Sequence, residues 1–220
     1  MRRLALMLVA APLVLPAFLL QASAGAQPTR FSAAAERVTM AARPTILRGV
    51  QATTLFGAVD SRGADEIVTI QAKDCGQRFF TGVKSATTGE GGTWSLEFGP
   101  GITSTLRAVW KGALSAPVTV RQQAYVALYR RSSRKFEVGV GGKWSFWHKR
   151  ILFQRRVGGS WPTVKSVLLT ETNAVPGYAQ AWSGAHFSAS VPKSSLVRAV
   201  LPLSEARPCY LAGVSDTVRT

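Results

Sequence analysis

Two histidines, two cysteines and eleven carboxylates are all that this 220-residue chain has for acid–base, nucleophilic or metal chemistry. His148 stands in Trp147-His148-Lys149-Arg150 and His186 in an alternating apolar run, and neither has an Asp or Glu as a close sequence neighbour to orient its ring. A Ser-His-Asp relay would need the fold to supply the acid, and no nucleophile-elbow motif marks a serine for it. Cys75, Cys209, the two imidazoles and Met40 lack the spacing of a closed zinc or copper site. Asp60, Asp65 and Glu66 fall within one turn, but Arg62 sits among them and the alternating Asp/Asn pattern of a calcium loop is missing, so an ordinary turn is expected. Gly89-Glu90-Gly91-Gly92 precedes a strand pattern rather than a helix, which makes it a hairpin turn and not a phosphate loop. No pair of carboxylates is nominated for glycoside hydrolysis. The expectation is a protein with no catalytic residue, no metal and no cofactor.

The elements that position these groups begin after an export signal. Met1-Arg2-Arg3 is a basic start, the apolar run 4–20 is broken by Pro12 and Pro16, and Ala22-Ser23-Ala24 or Ala24-Gly25-Ala26 offers small residues for cleavage. This predicts a signal peptide over 1–26, a flexible lead over 27–35 and a secreted or envelope-associated chain with no transmembrane segment, in a compartment where disulfides persist. Short alternating apolar runs punctuated by Gly, Pro, Ser and Asp then continue to the end, the pattern of an all-β sandwich. The first half reads as strands at 51–59, 66–73, 79–86, 93–98, 103–110 and 116–121. The second reads as strands at 125–129, 135–140, 146–154, 161–169, 185–191, 196–203 and 210–219. No amphipathic helix of three turns is expected.

The halves resemble each other. Val68-Thr69-Ile70-Gln71 recurs as Ile151-Leu152-Phe153-Gln154, Val83-Lys84-Ser85 as Val164-Lys165-Ser166, and Leu106-Arg107-Ala108-Val109 as Val197-Arg198-Ala199-Val200, at offsets of 83, 81 and 91. A duplicated module of about 85 to 95 residues follows, the size of a seven-strand sandwich. The predicted fold is therefore all-β, with two tandem immunoglobulin-like β-sandwich domains over 36–121 and 122–220.

A strand ending in Gln154-Arg155-Arg156, the Gly158-Gly159 turn, Trp161 opening the next strand, the Arg198-Ala199 strand and a last strand after Ser215 resemble the tandem immunoglobulin-like or fibronectin type III-like modules of secreted bacterial, especially actinobacterial, proteins. The resemblance covers most of the chain beyond the signal and implies fold more than function. Neither module carries a pair of cysteines of its own, unlike antibody domains.

One cysteine falls in each module. With strands running up and down, Cys75 lies at the pole where the chain leaves module one and Cys209 at the pole where it enters module two, and these poles face each other if the modules are strung end to end. A disulfide across the junction is expected, with an intermolecular bridge and free thiols as the alternatives.

The formal charge is +16, and the segment 121–165 holds eleven basic residues against the single acid Glu137. It also carries eight aromatics, whose alternation predicts core positions. Arg130, Arg131 and Arg134 fall in the first loop of module two, Arg155 and Arg156 at the end of its third strand and Lys193 before its sixth, all at the distal pole. Lys143, Lys149 and Arg150 go to the junction. Arginine's planar fork suits phosphate, sulfate or carboxylate, so this tip is a candidate contact for an anionic polymer, an envelope surface or an acidic protein. No nucleic-acid motif accompanies it. The functional expectation is an exported, non-enzymatic binding or structural module. The alternatives are a carbohydrate-binding module using exposed Trp161 or Trp182, a secreted enzyme with a cleft around His148 or His186, and a secreted inhibitor.

Overall fold

The computed structural model describes residues 37–174 and 181–220. The predicted export signal and lead lie outside these residues. The described chain belongs to one compact unit, Ala35–Thr220.

The first half contains β1 (Ala41–Arg43), β2 (Ile46–Arg48), β3 (Thr53–Ala58), β4 (Ile67–Asp74), β5 (Thr81–Thr87), β6 (Thr93–Phe98), β7 (Ser104–Trp110), β8 (Ala113–Leu114) and β9 (Val118–Gln123). One sheet has the order β1-β3-β6 and the other β2-β9-β7-β4-β5, with β8 also paired to β7. The second half contains β10 (Tyr125–Arg130), β11 (Lys135–Gly142), β12 (Arg150–Arg155), β13 (Thr163–Leu168), β14 (Glu171–Ala174), β15 (Ala181–Ser188) and β16 (Leu196–Leu201). A single helical turn, α1 (Leu203–Ala206), leads into β17 (Gly213–Val214) and β18 (Val218–Arg219). Its sheets are β10-β11-β15-β14 and β13-β12-β16-β17, with β18 also on β16. In immunoglobulin lettering the second half is ABED facing C′CFG, and the first is ABE facing A′GFCC′. These are two immunoglobulin-like β-sandwiches in tandem.

Alternation builds both cores. In β7 every second residue from Ser104 to Trp110 is buried, and in β11 Phe136, Val138 and Val140 point inward. Phe136 and Phe153, the largest fully buried side chains among the described residues, meet tilted with ring centres 4.8 Å apart, and Phe187 stacks on Phe136 at 5.6 Å while meeting Phe153 edge-on. One cluster of buried residues fills each sandwich, with one exchange: Ile102, from the loop before β7, is fully buried in the core of the second sandwich.

Several strands differ from the sequence reading. β1 and β2 were not expected; between them the chain crosses from one sheet to the other, a switch too short to show a period. The run expected from 146 starts as a strand only at Arg150, because Phe146 is already in the core while Trp147 and His148 form a turn closed by the Lys149 amide donating to the Phe146 carbonyl at 3.0 Å. β14 was missed, having four polar or small residues and no alternation to read. The last run divides into β17 and β18, because Ser215 turns its hydroxyl to the Ala199 amide at 2.9 Å.

The repeat continues into side-chain contacts. Arg107 donates from Nε to Gln71 at 2.8 Å and lies 4.1 Å from the Phe80 ring; Arg198 donates to Gln154 at 2.9 Å and lies 4.2 Å from the Trp161 ring. In both, the strand bearing the glutamine carries a register irregularity beside it, at Ile70/Gln71 and at Phe153/Gln154. Ser115 accepts from the Ala108 amide as Ser215 does from that of Ala199.

Candidate functional site

The junction between the sandwiches is built from loop ends. Cys75 and Cys209 form a disulfide with Cα atoms 5.4 Å apart, as the pole argument expects. Around it the Cys75 amide donates to the Thr103 carbonyl at 2.9 Å and the Thr103 amide to the Cys209 carbonyl at 3.2 Å, an uninterrupted backbone connection from one sandwich to the other. The Tyr210 hydroxyl donates to the Gly101 carbonyl at 3.2 Å and accepts from the Lys143 amide at 2.7 Å. Burial, opposed by the hydrogen bonds from the Trp144 and Lys143 amides, pushes its pKa above the ordinary tyrosine value. Lys143 also pairs with Asp74 across the junction. Trp144 lies against Gly76, where a Cβ would meet its ring at 2.6 Å.

A cleft of about 130 Å³ opens beside these contacts, lined from the first sandwich by Gly49, Val50, Gly101 and Gln122 and from the second by Tyr125, Trp182 and Tyr210, among others. Tyr125 and Trp182 face each other with ring centres 5.9 Å apart and planes at 46°. Trp182 lies flat on β11, because a Cβ on Gly139 would stand inside its indole. Gln122 is 2% exposed; Nε2 donates to the Gly49 carbonyl at 2.7 Å and the Gln123 carbonyl at 3.2 Å, while Oε1 is enclosed without a partner.

The six side chains of the expected basic tip are distributed as follows. The chain termini of β10, β12, β16 and β18 meet at one end of the second sandwich. Arg130 reaches the Arg219 carbonyl at 3.5 Å, Arg219 the Ser194 carbonyl at 3.2 Å, and the Arg156 amide the Leu196 carbonyl at 2.9 Å. Lys193 precedes Ser194 in the sequence. The Arg134 carbonyl accepts from the Ala189 amide at 3.0 Å. Arg131 differs: it ion-pairs with Glu137 and lies over the Tyr129 ring at 5.3 Å. Among the described residues no ion pair engages Arg130, Arg134, Arg155, Arg156, Lys193 or Arg219. Lys149 is at the other end, 4.0 Å from Glu205.

Of the aromatics expected in the core, Phe136, Phe146 and Phe153 are there, but Tyr125, Tyr129, Trp144 and Trp147 are exposed. They occupy strand positions facing away from the core, or loops, where alternation says nothing of burial. Trp161 is half-buried under Arg198, whereas Trp182 is half-buried on a glycine floor.

The fold brings acids to His186 that its sequence neighbours lack. Glu137 is 4.0 Å from Nδ1 and Glu171 3.9 Å from Nε2, on the exposed face of the β10-β11-β15-β14 sheet. His148 stacks on Trp147 at 3.6 Å. In the acidic turn, Asp60 accepts from the Arg37 amide. Partial desolvation works against ionisation of Glu66, but hydrogen bonds from Ser61, Trp110 and Lys111 hold its pKa below the ordinary value.

No family model and no curated protein matches the sequence. Among solved structures, the chain is similar to a tetra-tandem repeat in the extending region of a large adhesion protein, at 13% identity and a TM-score of 0.36 over 84% of this chain and 49% of that one. It thus spans about half the length of that structure. It is also similar to two marsupial T cell receptor chains, at 9% identity and TM-score 0.30 over 83% of this chain and 99% of the other, and at 10% and 0.30 over 74% and 93%. Likeness at this level adds nothing to the fold assignment, which rests on strand order.

Proposed function

We propose that the protein is an exported, non-enzymatic binding or structural module that contacts an anionic envelope or extracellular partner through the basic end of its second sandwich. The observation that supports this most is the run from Arg130 to the Arg219 carbonyl and from Arg219 to the Ser194 carbonyl at the end of the sandwich where the Arg156 amide also bonds to Leu196, with no ion pair engaging Arg130, Arg156 or Arg219 among the described residues. Bonds to carbonyls leave the positive charge of these arginines uncompensated, and such a charge draws a polyanion from a distance. The junction bonds hold that end at a set position relative to the first sandwich.

The test is charge reversal of Arg130, Arg155 and Arg156 together, with retention on envelopes of the producing cell followed as salt rises. Wild type should elute at raised ionic strength, and the triple variant should be released at distinctly lower salt with an unchanged melting temperature. Equal salt profiles for both would reject the basic end as the contact. A second reading, carbohydrate binding, is favoured by Trp182 alone, since its ring lies flat and half-exposed beside a cleft while Trp161 already carries Arg198 on its face.

A further inference from the structure

The outer face of the β10-β11-β15-β14 sheet carries a row of pairs with almost no side chains. Ala127, Gly139, Gly184 and Glu171 stand opposite one another across the strands, and since Phe136, Val138 and Val140 of β11 point into the core, this row faces out. The next row on the same face includes Tyr125, Gly141 and Trp182, and the row on the other side Tyr129, Glu137 and His186. Trp182 leans into the bare row: a Cβ on Gly139 would stand inside its indole, and one on Gly141 would meet it at 3.1 Å. Its inner face is thereby spent on glycine backbone, and its outer face supplies the exposure that remains. Tyr125, 48% exposed and tilted at 46° to the indole, forms a side wall.

Beside the indole the floor stays open at Gly184, where a Cβ would have 3.9 Å to both Trp182 Nε1 and Glu171 Oε2. His186 Nε2 is 3.9 Å from the same carboxylate oxygen, beyond hydrogen-bond length. An indole N–H, a carboxylate and an imidazole thus converge on one open spot at the edge of an aromatic face. Among the described residues no hydrogen bond engages any of these side chains. The set selects by charge. An anion meets Glu171, with Glu137 behind His186, and is repelled. A cation gains Glu171 but brings no acceptor for the indole N–H. A sugar hydroxyl serves both kinds of group: about 2.8 Å from Glu171 and His186, it donates to the carboxylate and accepts from an Nε2–H, and a neighbouring hydroxyl accepts from Trp182 Nε1. The C–H face of a pyranose then covers the outer face of the indole. We infer that this sheet face is the platform for a neutral glycan, with Trp182 and Tyr125 carrying a sugar ring and Glu171 and His186 holding its hydroxyls. This rests on the carbohydrate reading, gives its ligand a charge class, and is independent of the basic end.

The test titrates the full chain with neutral trimers of glucose and of mannose, a trimer of galacturonic acid, and trilysine, following calorimetric heat and saturation transfer to ligand protons. A neutral trimer should bind, and the galacturonic acid trimer should bind more weakly by about tenfold or more. Glu171→Ala, at a side chain 50% exposed, should weaken the neutral trimer by about tenfold with an unchanged melting temperature. Trp182→Ala should abolish binding, and Glu171→Ala keeps the test decisive if Trp182→Ala unfolds. Neutral binding that Trp182→Ala removes and Glu171→Ala leaves unchanged would overturn the platform in favour of a bare stacking surface, with the carbohydrate reading intact. Neutral binding untouched by either variant would put the sugar elsewhere and overturn it too. Preference for the galacturonic acid trimer or for trilysine would overturn the neutral class. No binding of any sugar by the folded protein would overturn both the platform and the carbohydrate reading.

Discussion

Tyr210 carries one hydroxyl that serves both sandwiches. It is 4% exposed, donates to Gly101 of the first and accepts from the Lys143 amide of the second. Tyr210→Phe leaves the Gly101 carbonyl and the Lys143 amide without that partner and should cost about 1–3 kcal/mol in chemical denaturation. The raised pKa of the phenol has its own consequence. Between the unfolded value of 10.0 and the higher folded one, the unfolded chain binds fewer protons, so stability falls as pH rises through that window. The wild type should therefore lose stability on the alkaline side of pH 10 more steeply than Tyr210→Phe. Glu66 has the opposite sign: its folded pKa lies below 4.5, so its contribution is present above that value and is lost as pH falls through the folded one. Glu66→Gln should flatten the acid limb of the stability profile.

At the scale of elements, the duplication is a repeated contact as well as a repeated pattern. Gln71, Arg107 and Phe80 in one sandwich match Gln154, Arg198 and Trp161 in the other. Lysine retains the charge but lacks the planar fork that donates to the amide while stacking on the ring. Arg107→Lys and Arg198→Lys should each lower stability by about 1 kcal/mol, and the two losses should add because the sites lie in separate sheets. A loss at one site only, in thermal melts of the single and double variants, would mean that the matched contacts do not play matched roles. β1 and β2 do not fit this symmetry. In the first sandwich the opening strand splits between sheets and β2 pairs in parallel with β9, whereas β10 remains with β11 along its whole length.

For the molecule as a whole, the junction decides how independent the sandwiches are. The disulfide closes a loop of 134 residues, which in the chain-entropy model stabilises the fold by on the order of 5 kcal/mol. Ile102 buried across the boundary, the Thr103–Cys209 backbone bond and the Lys143–Asp74 pair do not depend on it. Cys75→Ser with Cys209→Ser should therefore lower the melting temperature strongly while leaving one cooperative transition, because the core of the second sandwich still contains a residue of the first. Two resolved transitions in calorimetry would show that the disulfide alone couples them. Ala substitution at Ile102 should separate the transitions more effectively than loss of the disulfide.

Much of this was legible in the residues. Period-two alternation marks most of the long strands, since a half-buried strand must alternate, and the recurrence of Gln71 and Arg107 as Gln154 and Arg198 marks the duplication. The opposition of Cys75 and Cys209 follows from counting strands, because each strand reverses the pole at which the next loop lies. Other features have no local signature. β14 and the split of β1 from β2 depend on pairing partners remote in sequence. Whether Trp161 and Trp182 are covered depends on Arg198 and Gly139, brought to them from neighbouring strands. The enclosed, unpartnered oxygen of Gln122 belongs to an amide whose other half donates to the Gly49 and Gln123 carbonyls, an arrangement with no signature in the local sequence. Local order is set by the side-chain pattern along a strand, which the sequence by itself determines; what a side chain meets across strands and sandwiches is set by tertiary packing.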